Sequence, residues 1–312
     1  MAFMPDLADL NWVQLNDLSW HSRRLLETRW PDQWSYNPQR ASRIIQDISP
    51  AWTAMLHEHP RTVLEMGAGS FQPLAHGLIL YLNGAETALA VDVSEHLHNT
   101  EQAAQACFEL LLHVIAFPER YVLLGTHPEA IRQRAYALPL DALQKGDWNA
   151  LLTTQAARFA YAGLDAARTL LPEGQIDFMF SNAVLEHVHE PEDALAWHYK
   201  LLKPGGIVQH RIGLDDHRHY ENPDQFTAWT FMEDGEYGPA STVRPDLWIN
   251  GLRVSHWRAW FEKSGYQILS WQCTPHFPTP PDIRQRVREE FRDLPEEDLR
   301  TFILTAVLRK PL

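Results

Sequence analysis

The chain of 312 residues is 45% apolar and 21% charged, enough apolar material for one large domain or two small ones and no basis for wholesale disorder. Lys plus Arg number 27 against 40 Asp plus Glu, a formal net charge of −13, so the chain lacks the basic footprint that binding to nucleic acid or to an anionic membrane surface requires. Cys107 and Cys273 make no disulfide framework and have no metal-ligand spacing, no apolar run approaches a membrane span, and Asp6 and Asp9 stand where a secretory signal needs positive charge, so a soluble cytoplasmic protein is expected.

Residues 1 to about 60 predict helices without strands. Leu15, Leu18, Leu25 and Leu26, then Ile44, Ile45, Ile48, Trp52 and Met55, recur at helical spacing, punctuated by Pro31, Pro38 and Pro50. From Arg61 strands alternate with helices, the pattern of an α/β sheet. Strands are expected at 62–66, 87–91, 158–163, 176–181, 206–212, 266–271 and 302–309. Between the second and third, residues 95–157 read as helices over 95–117, 129–136 and 140–155. One helix suffices to join neighbouring parallel strands, so the rest is an insertion. A helix over 191–202 is expected to close at a Lys203-Pro204-Gly205-Gly206 turn. After the fifth strand comes a polar, histidine-rich loop from Asp215 to about Asn250, too long for a plain connection. A helix over 254–264 and a Pro-rich loop with a short charged helix complete the chain.

The segment Val63-Leu64-Glu65-Met66-Gly67-Ala68-Gly69-Ser70 is an apolar strand that ends in an acid and a glycine turn. Such a turn lets backbone approach a ligand where a Cβ would block it. A Gly-x-Gly alone also fits an ordinary strand-to-helix turn. Asp92, at the end of the next strand, adds a carboxylate able to accept both hydroxyls of a ribose, and together the two features point to an adenosine-type ligand. Gln72 stands where a dinucleotide fingerprint has its third glycine, and the turn lacks the Lys and Ser/Thr of a phosphate loop.

These residues, with Ala90-Val91-Asp92-Val93-Ser94, Gly163-Leu164-Asp165-Ala166, the run Asp177-Phe178-Met179-Phe180-Ser181-Asn182-Ala183-Val184-Leu185-Glu186-His187-Val188 and Leu201-Leu202-Lys203-Pro204-Gly205-Gly206, resemble the class I S-adenosylmethionine-dependent methyltransferases of the small-molecule, type 11-like branch. The resemblance spans roughly 61–215 and weakens towards 270. It departs at Phe71, where the family often has a third alternating glycine, which puts the shape of the turn in doubt. It implies an α/β, Rossmann-like seven-stranded sheet with an antiparallel last strand. Around this sheet the expected domains are a helical cap over 1–60 and an S-adenosylmethionine-binding catalytic domain over 61–312, with residues 95–157 as a helical lid. It also implies S-adenosyl-L-methionine as cofactor. Glu65 would reach its amino end, Gly67, Ala68 and Gly69 would lie under the methionine and ribose, and Asp92 would hold the ribose hydroxyls with Val93 beside it. Asp165 and the Ala166 backbone would meet the adenine, Ser181 and Asn182 the methionine portion, and His187 belongs to the same pattern near the cofactor.

Methyl transfer demands positioning and removal of a proton from the acceptor. The catalytic candidates are therefore Asn182, His217 as a general base and Tyr220 as a hydrogen-bond partner, with His219 a second imidazole in the loop. Arg253 could clamp a carboxylate, and Trp30, Trp34 or Tyr36 could close over the sulfonium, although aromatics at helical spacing are more often core. Asp and His ligands in the 215–219 loop make a metal site conceivable, but a solvated loop is the plainer expectation and no metal is expected. The substrate expected is a small-molecule metabolite, with no nucleic-acid or membrane partner. The resemblance admits two alternatives: a cyclase that closes S-adenosylmethionine itself to azetidine-2-carboxylate and methylthioadenosine, and a non-catalytic nucleotide-binding module.

Overall fold

In the computed structural model of the chain, residues 10–29, 45, 48–49, 51–52, 60–69, 74–93, 99–164, 167–168, 171–237, 248–275 and 278–312 are described. The strands are β1 (Thr62–Met66), β2 (Thr87–Asp92), β3 (Arg158–Gly163), β4 (Ile176–Asn182), β5 (Leu202–Gly213), β6 (Gln267–Thr274) and β7 (Ile303–Arg309), in one seven-stranded sheet of order β3-β2-β1-β4-β5-β7-β6. The last strand is antiparallel to both its neighbours, which bears out the expected fold class. The chain forms two compact units, Met1–Met179 and Phe180–Leu312, and the boundary falls inside β4.

In the first unit β1 and β2 pair in parallel from Thr62↔Thr87 to Met66↔Val91, and β2 and β3 from Thr87↔Arg158 to Asp92↔Gly163. Their carboxyl ends therefore lie level. The strands are apolar almost without interruption because helices cover them. One of these, α2 (Ala75–Leu82), is buried at every residue. The crossover helix α3 (Thr100–Ala116) starts where the Asn99 side chain accepts the Gln102 N–H at 3.0 Å, a cap that satisfies an otherwise orphaned donor. It is buried on most sides because α1 (Trp12–Arg29) packs against it. From the rest of the expected cap, Ile45, Ile48 and Trp52 are core residues, with Trp52 edge-on to Phe178 at 5.8 Å. Trp30, Trp34 and Tyr36 lie outside the described residues.

The insertion comprises a 3-10 turn (Pro118–Tyr121), α4 (Pro128–Tyr136), α5 (Leu140–Gln144) and α6 (Trp148–Leu152). The single helix expected over 140–155 is broken at Gly146, whose φ of +83° ends the helical path. Hydrogen bonds fix the part of the insertion that reaches α2 and β2. Asn83, just after α2, donates from Nδ2 to the Tyr121 carbonyl at 2.8 Å and accepts the Leu123 N–H at 2.7 Å. Arg134 on α4 donates to the Ala85 carbonyl at 2.6 Å while its guanidinium lies over the Tyr81 ring. Ala85 precedes β2, so these bonds hold the insertion at the amino end of the parallel strands. That is the full length of β2, about 20 Å, from Asp92. Helical periodicity reveals that a helix has a face to bury, but not which end of a sheet receives it.

In the second unit β5 pairs with β7 from Ile207↔Arg309 to Gly213↔Ile303, and β6 joins β7 with a register shift between Ile268 and Ser270. The Lys-Pro-Gly-Gly segment already belongs to β5: Gly205, at φ +79°, donates its N–H to the Lys310 carbonyl at 2.8 Å. Helices α7 (Pro191–Leu201) and α10 (Val254–Lys263) lie as expected. The segment after β5 is more than a solvated loop. It carries α8 (Arg218–Glu221) and α9 (Thr230–Asp234). With α11 (Ile283–Arg286), α12 (Glu289–Arg292) and α13 (Glu296–Arg300) it closes a second core around Trp229, Phe231, Met232, Val287, Phe291 and Phe302. Among the described residues no helix is long and apolar enough to cross a membrane.

Candidate functional site

In the first unit the residues at the carboxyl ends of β1 and β2 form one group. Gly67 and Gly69 have φ of +70° and +75°, which L side chains rarely adopt, and a Cβ on Gly69 would meet nothing within 4 Å among the described residues, so the turn presents bare backbone there. The Gly67 N–H donates to the Val91 carbonyl at 2.7 Å, with Ala68 beside it at 3.2 Å, and the Gly69 N–H donates to Asp92 Oδ2 at 2.7 Å. One strand's turn thus orients the next strand's carboxylate. Val93, directly after Asp92, is 81% exposed, an apolar surface beside a ribose-type acceptor. Glu65 is buried and pairs through Oε1 with His76 Nδ1, while its Oε2 has no hydrogen-bond partner among the described residues. A buried carboxylate oxygen without a donor, next to a glycine turn, fits the ammonium of an amino-acid-bearing nucleoside.

These observations place Glu65, Gly67, Ala68, Gly69, Asp92 and Val93 together where β1 and β2 end. Tyr161 on β3 was not singled out from the sequence. Burial and then the Asp92 carboxylate raise its hydroxyl above the usual tyrosine range, so it faces the same carboxylate. Asp165 and Ala166 lie outside the described residues.

The second unit holds the other group, where β4 and β5 end. Ser181 is buried and its hydroxyl shares a 2.8 Å hydrogen bond with His210 Nδ1. Its side chain therefore ties β4 to β5. Burial, then His198, holds the His210 imidazole well below its usual pKa. Asn182 accepts from Arg211 Nη1 at 3.3 Å. The next residue, Ala183, has φ +56°, the only positive φ of a non-glycine among the described residues. It turns the chain into a 3-10 turn, Leu185–His187, at a cost of about 1 kcal/mol.

That turn is clamped by Asn250, which donates from Nδ2 to the Leu185 carbonyl at 2.7 Å and from its backbone N–H to the Glu186 carbonyl at 2.7 Å. His187 Nδ1 donates to the Trp248 carbonyl at 2.7 Å, and its ring lies 5.0 Å from that of His217. Glu186 is 1% exposed and accepts the Gly213 N–H at 2.9 Å. Burial pushes its carboxyl up to about 8, against the hydrogen bonds from its own and the Gly213 backbone. Asp215 is buried as well. It accepts the Tyr220 hydroxyl at 2.5 Å and stands 4.0 Å from His217 Nε2 and 3.7 Å from His219 Nε2. Tyr220 keeps its ring 64% exposed, and burial of the hydroxyl, then Asp215, raises its pKa.

Two arginines hold this arrangement from behind. Arg218 is buried and grips Asp216 through Nη2 at 2.6 Å and Nε at 3.0 Å, then reaches Asp234 and Glu236. Arg253 is buried too, and the expected carboxylate clamp is corrected. Its guanidinium donates to the carbonyls of Leu214, Asp298 and Thr301, the last at 2.7 Å. Burial lowers its pKa to about 10, an effect that Asp298 and Asp215 oppose. The Arg253 role is not visible in the sequence, because its partners are backbone carbonyls contributed by residues 214, 298 and 301.

A family model described as a methyltransferase domain matches residues 34–271. No curated protein matches the chain. Among solved structures, an S-adenosylmethionine-dependent methyltransferase from Mesorhizobium loti is 15% identical, with 85% of this chain and 99% of that one covered at a TM-score of 0.41. The 1,6-didemethyltoxoflavin-N1-methyltransferase of Burkholderia thailandensis, solved with 1,6-didemethyltoxoflavin and S-adenosylhomocysteine bound, is 15% identical, with 100% and 93% covered at a TM-score of 0.43. Likeness this distant adds nothing to what the strand order already gives.

Proposed function

The chain belongs to the methyltransferase domain family, and from that premise we propose that it transfers a methyl group from S-adenosylmethionine to an oxygen or nitrogen of a small molecule. The observation that carries the reading is the 2.7 Å bond from the Gly69 N–H to Asp92, made by a turn whose two glycines hold positive φ. When bound, the sulfonium supplies an electrophilic methyl carbon for in-line displacement. The chain's own residues bind and orient. Asp92 accepts the ribose hydroxyls, Val93 lies under the adenine, Gly67, Ala68 and Gly69 offer backbone to the ribose and methionine, and Glu65 Oε2 accepts from the amino group. Asp165 and Ala166 remain the proposed adenine contacts. For the acceptor, the Asn182 amide and the Tyr220 hydroxyl, held by Arg211 and Asp215, are the orienting groups. His217 and His187 stand beside buried Glu186.

Calorimetric titration with S-adenosylmethionine and S-adenosylhomocysteine is the direct test. Micromolar binding that Asp92→Ala weakens at least about tenfold, roughly 1.4 kcal/mol, is the expected result. Absence of binding to either nucleoside overturns the reading. Incubation with S-adenosylmethionine alone separates the reactions: stability of the nucleoside until a small-molecule acceptor is added supports methyl transfer, and release of methylthioadenosine without acceptor replaces it with cyclisation.

A further inference from the structure

Three side chains from two places in the second unit converge. One carboxylate oxygen of Glu186 and one ring nitrogen each of His187 and His217 lie within 4.8 Å of one another. The hydrogen bond from His187 Nδ1 to the Trp248 carbonyl puts the ring's proton on Nδ1 and its lone pair on Nε2, as a carbonyl bonded to the far nitrogen does for a metal-binding imidazole. Gly213 makes the convergence possible. A Cβ there would stand 2.7 Å from Glu186 Oε1 and 3.3 Å from His217 Nε2, so any larger residue would fill the space where the two donors meet.

A second observation concerns the same carboxylate. Glu186 Oε2 is buried with no hydrogen-bond partner among the described residues, although burying a carboxylate oxygen without a donor is costly. Asp215, 4.0 Å from His217 Nε2, brings a second carboxylate, so the pair of acids matches the charge of a dication. Arg211, the nearby cation, donates to Asn182 Oδ1 at 3.3 Å.

We propose that Glu186, His187 and His217 bind a divalent first-row transition cation. Two imidazoles and one carboxylate suit manganese, iron, cobalt or zinc, whereas magnesium and calcium favour oxygen donors throughout. Bonds of about 2.0–2.2 Å would draw the three donor atoms closer together than they stand, a change within reach of side-chain rotation. Three protein ligands leave coordination positions open for water or for an oxygen of a substrate. Asn250 and Gly213 are positioning residues: one holds the turn that carries two ligands, the other leaves room between donors. A ring that serves as a ligand cannot also take a proton from an acceptor, so the site displaces the general-base role expected of His217. The inference concerns cation binding only and stands whether or not the chain transfers methyl groups.

The test uses tag-free, full-length protein stripped with chelator and dialysed against zinc or manganese, with bound metal measured by mass spectrometry. One ion per chain and a rise in Tm with either metal, but not with magnesium, are expected. Glu186→Gln and His217→Ala should each weaken binding on the order of 100-fold, and His219→Ala should leave it unchanged. Cobalt keeps the proposal testable if the variants misfold. The wild-type protein should give visible absorption bands of an imidazole-ligated cobalt ion, competed away by zinc. No stoichiometric binding, no such bands, or binding that survives both ligand substitutions overturns it.

Discussion

The two ends of the strands solve the problem of binding in different ways. After β1 and β2 the work is done by backbone: two glycines at positive φ and one N–H aimed at Asp92. After β4 and β5 it is done by side chains. Glu186, Asp215, Asp216, Arg218 and Arg253 are all buried within one network whose members are up to 67 residues apart, from Glu186 to Arg253. A backbone site tolerates change in its neighbours, because its geometry is local. A site of buried charges stands or falls with each partner, since a lone charge left in the interior is far more costly than the pair.

Arg253→Met gives the largest expected effect and breaks the comparison if it fails. Losing the guanidinium leaves the Leu214, Asp298 and Thr301 carbonyls without their donor, and urea unfolding should register a loss on the order of 3–5 kcal/mol. A variant of near wild-type stability would mean that the second unit is not held by its buried charges. Asp92→Ala in the first unit should instead weaken cofactor binding at least about tenfold with little change in Tm, because the Gly69 N–H it releases lies in a partly exposed turn.

Acid should discriminate the two units next. His210 has a depressed pKa in the fold because burial and His198 disfavour its charged form, while the unfolded chain binds the proton near pH 6.5. Its contribution to stability is thus complete above pH 6.5 and is lost as pH falls from there towards the depressed folded value. Replacement by Phe, which keeps the stacking on Phe261 but has no ring nitrogen for Ser181, should flatten this part of a pH-dependent denaturation series. An unchanged slope would assign the acid sensitivity elsewhere. The smallest effect is expected at the bend between β4 and the 3-10 turn. Ala183→Gly removes the strain of φ +56° but frees the unfolded chain, so the denaturation midpoint should move by less than about 1 kcal/mol.

Much of the frame was legible in the sequence. The strands at β1 and β3 match their expected ranges, and β2 and β4 each extend one residue further. Helix α7 ends one residue early. Such features depend on local periodicity and on the turn chemistry of Pro and Gly. The breaks came where local pattern competes with distant partners. Gly146 splits a helix whose apolar spacing runs straight through it, and Trp229 and Phe231 look like isolated hydrophobes in a polar loop until α11 and α12 return to cover them. Arg253 reads as a surface cation ready for a carboxylate, yet its partners are carbonyls contributed by residues 214, 298 and 301.

By itself the sequence determined the α/β alternation, the glycine turn after β1 and the acid after β2, because each is encoded within a few neighbouring residues. Tertiary structure alone decided that the insertion packs at the amino end of β2, through Asn83 and Arg134, and that Ser181 turns inward to His210. It alone brought Glu186 and His187 within reach of His217, because β5 must run its full course before the chain returns to the end of β4, and only that return closes the distance.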